Sequence, residues 1–203
     1  MKTKFALFLI AIVTVALSGC LSGGRNFARP AFENFELGKT SPTQIIQSVG
    51  QPTQVATTEK SGKVITRYYY HDSYATIIAP IIPASGTYAK REASFYFSDD
   101  VLIGYLYTSN YAGDSTDFDE RKLDLLTKGK STRQDIESLL GTPNGVILYP
   151  LADTAQETVL TYAYVYMQAY PTIKIVSKTA RISIDRGGVV ADIKLDIDKQ
   201  NLR

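Results

Sequence analysis

Apolar residues recur at helical spacing in two short segments and alternate with polar ones in several longer segments. The first helical segment carries Ile45, Ile46 and Val49 on one side. Ser41 stands where an N-cap belongs, Pro42 at the first helical position and Gln44 three residues after the cap, the arrangement of a capping box. Gly50 suits the left-handed position that ends a helix, and Pro52 prevents continuation. The second segment repeats this design 91 residues later: Gly38-Lys39 returns as Gly129-Lys130, Gly50 as Gly141 and Pro52 as Pro143. Thr132 then takes the N-cap, Asp135 the third position, and Ile136, Leu139 and Leu140 the apolar side. Helices of about two turns are unstable alone, so each must lie on something.

The alternating segments supply it. Val64–Tyr70, Arg91–Phe97 and Val101–Thr108 read as strands, the last two joined through Ser98-Asp99-Asp100 as a tight hairpin. Past the second helix come Val146–Tyr149, Thr158–Met167 and Ile173–Ile184, then Asp185-Arg186-Gly187-Gly188 and Val189–Ile197. The joining stretch contains Asp117-Phe118-Asp119-Glu120 followed by Leu123, Leu125 and Leu126, which reads as a further helix start, matched in the first half by residues 32–37. The expected fold class is therefore α+β, with two tandem units at 35–112 and 113–203. Each would be a short helix, or helix pair, packed on a three-stranded antiparallel meander.

The N-terminus carries an address. Lys2 and Lys4 precede an uncharged run from Phe5 to Ala16, too short for a membrane span of about 20 residues, and the run closes on Leu17-Ser18-Gly19-Cys20. Residues 1–19 are thus expected to be a signal peptide. The Leu-Ser-Gly-Cys ending resembles the lipobox of bacterial lipoproteins, which implies that Cys20, the sole cysteine, becomes the lipid-modified first residue. In enterobacterial lipoproteins an Asp at the next position favours the inner membrane. Leu21 by that resemblance points to the outer one, facing the periplasm, with the inner membrane or cell surface as other possibilities. Residues 20–34, with Gly23-Gly24 and Pro30, read as a tether. Loss of Lys2 and Lys4 takes the formal charge of +2 to near zero, so no basic excess remains for nucleic acid.

A Gly, a polar pair, a short amphipathic helix and Gly-x-Pro before a β-meander, in a lipoprotein, resembles the BamE (SmpA/OmlA) family. The small fold is similar also to the tandem-repeat β-lactamase inhibitor proteins. The segments that carry the likeness are Gly38–Pro52 and Gly129–Pro143. BamE-type lipoproteins usually carry one such unit, and this chain carries two. The resemblance implies protein–protein contact, either as an accessory or scaffold in envelope assembly or as an inhibitor-like binder of a periplasmic or extracellular enzyme.

Catalytic chemistry finds no foothold in the sequence. His71 is the sole histidine and has no second His or Cys to share a metal. No zinc spacing, nucleophile elbow, P-loop or dinucleotide fingerprint occurs. No enzyme, cofactor, metal or small-molecule substrate is therefore expected. Binding is the better prospect. The connection 76–86 holds Ile77, Ile78, Ile81 and Ile82 together with two prolines that bar it from a central strand, and Tyr170 stands at its counterpart. Either this segment folds back as a lid or packing element, or it contacts a partner or membrane. A tyrosine set, including Tyr162, Tyr164 and Tyr166 on one side of a strand, could line the open side of a sheet.

Overall fold

The computed structural model describes residues 20–76, 88–168 and 173–202. Among them nine strands are present: β1 (Cys20–Gly24), β2 (Gln54–Lys60), β3 (Lys63–Thr76), β4 (Tyr88–Ser98), β5 (Val101–Ser109), β6 (Gly145–Ile147), β7 (Thr158–Gln168), β8 (Ile173–Ile184) and β9 (Val190–Leu202). Two α-helices, α1 (Pro42–Val49) and α2 (Arg133–Leu140), lie among them with 3-10 turns at Phe32–Asn34 and Glu120–Leu125.

The expected architecture of two separate helix-plus-meander units is not what forms. All nine strands join one antiparallel sheet in the order β1-β3-β4-β5-β6-β7-β8-β9, with β2 also paired to β3. The short strand β6 closes the gap: Gly104 pairs with Ile147 and Leu106 with Gly145 on one side, and Gly145 with Thr161 on the other. The two glycines permit this approach. A Cβ on Gly104 would meet Ile147 Cγ2 at 2.8 Å, and one on Gly145 would meet Leu106 Cδ1 at 2.8 Å. Each glycine thus makes room for the aliphatic side chain across from it.

Asn144, just before β6, extends the seam. Its backbone carbonyl accepts from Tyr107 N at 2.7 Å. Its side-chain oxygen accepts from Ala163 N at 2.9 Å, and Nδ2 donates to the carbonyls of Ala163, at 2.9 Å, and Tyr107. One buried amide therefore replaces the ladder bonds that β6 is too short to supply.

Residues 20–34, expected to be a tether, are built into the fold. Cys20–Gly24 pairs along the outer half of β3, Cys20 opposite Thr76, and Phe27 is buried among Tyr70 and Tyr107. The segment after β1 is aromatic where a free linker would be polar, and its rings have core neighbours to meet.

Local signals in the repeat did take the predicted form. Ser41 and Thr132 cap their helices, each with a reciprocal bond from the third residue. Gly50 and Gly141 end them at φ 93° and 81°. Ile45 and Ile136, fully buried, project from the helices into two aromatic and aliphatic clusters on one side of the sheet. In each cluster a buried tyrosine reaches back to the helix terminus: Tyr70 Oη donates to Gly50 O at 2.9 Å and Tyr162 Oη to Gly141 O at 2.7 Å. Gly50→Val and Gly141→Val are each expected to cost about 1–3 kcal/mol, since a β-branched residue is strained at positive φ. No atom lies within 4 Å of a Cβ at Gly141, so there the cost is conformational alone. Unshifted urea midpoints in both variants would refute this.

Candidate functional site

The helices and 3-10 turns pack on one face of the sheet. The other face carries strand-borne side chains, of which Ser94 and Thr161 are buried, Arg67, Tyr69, Tyr96, Leu106 and Ile147 half-buried and Arg181 exposed. Alternation places Arg67, Tyr69 and His71 of β3 there, with Glu92, Ser94 and Tyr96 of β4. The same face continues through Leu106 of β5, Ile147 of β6, Thr161 of β7, and Thr179 and Arg181 of β8. Loop 148–157 closes one end. Lys60 Nζ donates to Leu151 O at 2.6 Å, Leu148 N donates to Ile103 O at 2.8 Å, and Pro150 and Ala152 are buried.

Between that loop and the middle of the sheet lies a depression of about 320 Å3, lined among others by Lys60, Tyr96, Leu106, Ile147, Thr179 and Arg181. Beside it Arg67 is held in place. Its Nε and a terminal nitrogen donate to Ser94 Oγ at 3.0 and 2.9 Å, and its guanidinium lies 4.6 Å from the centre of the Tyr69 ring and 6.0 Å from that of Tyr96. Tyr69 stacks on His71 at 6.2 Å and donates to Glu92, which Lys90 pairs at 2.8 Å. Burial, followed by the Glu92 contact, raises the Tyr69 phenol well above its ordinary value, so it stays a neutral donor. Arg181, exposed, makes no ion pair among the described residues. Aliphatic, tyrosine and threonine side chains surround two cations, Lys60 and Arg181, and Arg67 beside them is already ordered. Those features suit recognition of another macromolecule.

No family model matches the chain. No curated protein matches it either. Among solved structures it is similar to a crystal structure of a candidate beta-lactamase inhibitor protein from Streptococcus mutans. The TM-score is 0.47 and the identity 11%, over 82% of this chain and 93% of that one. That is a distant likeness, and nothing about function follows from it.

The sequence-predicted contact residues Ile77, Ile78, Ile81, Ile82 and Tyr170 lie outside the described residues, in the connections between β3 and β4 and between β7 and β8. The side chain of Cys20 does so too. The tyrosines divide differently from expectation. Tyr70, Tyr107 and Tyr162 are buried on the helix-covered side, where Tyr68 and Tyr105 are half-buried. Tyr69 and Tyr96 face the open side. Alternation shows which tyrosines share a side but not which side is covered, and Tyr162 follows Leu160 into the core. No motif or spacing in the sequence singles out Arg67, Arg181 or Leu106. The signal available was the pair of glycines at strand-interior positions, Gly104 and Gly145, which mark a close backbone approach.

Among the described residues no group of three or more His, Cys, Asp or Glu is placed to hold a metal ion. Asp119 caps the 3-10 turn, and Asp117 and Glu120 pair with Lys178 at 2.6 and 2.8 Å. That acidic cluster ties the turn to β8.

Proposed function

We propose that the chain is a non-catalytic, lipid-anchored envelope protein that works by protein–protein contact through the open face of its sheet. The observation that carries the reading is the ordered Arg67–Tyr69–Tyr96 group beside the depression that ends at Arg181. Arginine and tyrosine are the residues most enriched where binding energy concentrates, and a fixed guanidinium loses little freedom on binding. Arg181, which makes no ion pair among the described residues, favours together with the nearby Lys60 a partner surface that is acidic and partly apolar. Attachment through Cys20 to the outer membrane, facing the periplasm, rests on the Leu-Ser-Gly-Cys signal, and a role in envelope assembly rests on the BamE-like repeat segments. No helix among the described residues is long and apolar enough to cross a membrane.

Crosslinking in intact envelopes followed by purification of the chain tests this. The wild type is expected to bring down a specific partner, and Tyr96→Ser with Arg181→Ser to lose it with an unchanged melting temperature. A partner retained at wild-type yield by that double variant would refute the site. The identity of the partner then separates an assembly component from a captured soluble enzyme. Cys20→Ser should also move the chain from the membrane fraction to the soluble one. Retention of that variant in the membrane, with no fatty acid taken up by the wild type, would refute the anchor.

A further inference from the structure

The antiparallel register brings one set of strand ends together at one end of the sheet. Cys20 pairs with Thr76, Ala75 with Tyr88, Gln168 with Lys174 and Ile173 with Leu202. The residue expected to carry lipid is therefore the last rung of a strand, with no length of free chain between it and the fold. Lipid on Cys20 would hold this end of the sheet at the bilayer.

The opposite corner of the same end has matching chemistry. On the helix side of β7, β8 and β9, the covering turn ends at Lys178, which it holds through Asp117 and Glu120. Ile197 pairs with Lys178 at that level, and two residues nearer the strand ends Tyr166 pairs with Val176 and Val176 with Lys199. Tyr166 and Ile197 are 41% and 39% exposed, large for such side chains next to a core. Lys174 and Lys199 are exposed on this side and form no ion pair among the described residues. Tyrosine with aliphatic neighbours, flanked by lysines with long stems, is the composition that settles at a membrane–water interface. In sheet order β3, β4, β5, β6 and β7 lie between β1 and β8. Two contacts that far apart, one of them covalent, would fix a tilt, and the anchor keeps the weaker one at high local concentration.

We propose that this end of the sheet rests on the phospholipid bilayer holding the Cys20 lipid. Tyr166 and Val176 sit at the interface and Lys174 and Lys199 on anionic headgroups. The strands then stand upright on the membrane, and the open face with Arg67, Tyr96 and Arg181 is presented sideways to a partner. The proposal rests on the lipid-anchor reading.

The test uses the full lipidated chain in vesicles of phosphatidylethanolamine and phosphatidylglycerol, with acylation leaving no native thiol. Single cysteines are introduced as Tyr166→Cys and Lys199→Cys at the bilayer end and as Asp100→Cys and Arg186→Cys at the far end, and each is labelled with a fluorophore. Lipids carrying a quencher near the headgroup are expected to quench the first two labels several-fold more than the last two. Equal quenching at both ends, with lipid confirmed on Cys20, overturns the upright placement and leaves the anchor intact. No lipid on the wild-type chain removes the anchor and this proposal together. Shielding of the Tyr166→Cys label that rises with protein density at fixed lipid would assign the corner to a second copy and overturn the proposal.

Discussion

Asn144→Leu is expected to lower the stability of the chain by about 2–5 kcal/mol. The side-chain amide serves three buried backbone groups: Tyr107 C=O, Ala163 N–H and Ala163 C=O. Thr116 Oγ1 also donates to Ala163 C=O at 2.8 Å, so that group keeps a partner, and the other two lose theirs. An unsatisfied buried polar group costs about 1–3 kcal/mol, and leucine of similar size leaves the polar groups in place without compensation. The repeat supplies an internal control. Thr53, the equivalent of Asn144 one repeat earlier, is exposed, and Thr53→Leu is expected to stay within about 0.5 kcal/mol. Equal shifts in the urea midpoint for the two variants would show that Asn144 does not hold the seam.

Stability should also fall steeply above pH 10. Tyr70, Tyr107 and Tyr162 are each at most 2% exposed. Burial comes first among the causes that raise their phenols, pushing Tyr70 up to about 12 and the other two in the same direction; the Asp114 carboxylate adds to it at Tyr107. A group raised in the folded state contributes its full stabilising effect below its unfolded value near 10. That contribution is lost as pH rises towards the folded value, because the unfolded chain ionises first. At pH 11 each unfolded phenol gains about 1.4 kcal/mol from ionisation, so the three together remove about 3–4 kcal/mol. Urea titrations at pH 8 and pH 11 read the difference. A midpoint unchanged between them would mean that the tyrosines are solvated. Replacing all three by phenylalanine should flatten the alkaline limb, at about 1 kcal/mol for each phenol hydrogen bond removed.

What could be read from the sequence follows the range of the interactions involved. Ser41, Gln44 and Gly50, and their counterparts Thr132, Asp135 and Gly141, form caps that close within one helix, so residue type at fixed spacing was enough. The Asp99-Asp100 turn was legible for the same reason: both residues have positive φ, 51° and 58°, as a two-residue hairpin requires. The fold class was not, because joining β5 to β7 depends on Gly104, Asn144 and Gly145 meeting residues far away in the chain. The pairing of Cys20–Gly24 with β3 is equally non-local, and two glycines made that segment read as a linker. Tyr69 and Tyr162 have the same residue type and both lie in strands, yet lie on opposite sides, one on the open face and one under α2. Only the position of the helices distinguishes them.

Contact between the open face and a protein partner can be read out by site-specific photocrosslinking in intact envelopes. A photoreactive residue replaces Tyr96 on the open face in one variant and Gln47, exposed on α1, in another. A discrete crosslinked protein is expected from position 96 and none from position 47. Crosslinks from position 47 alone, or the same product from both, would contradict that contact.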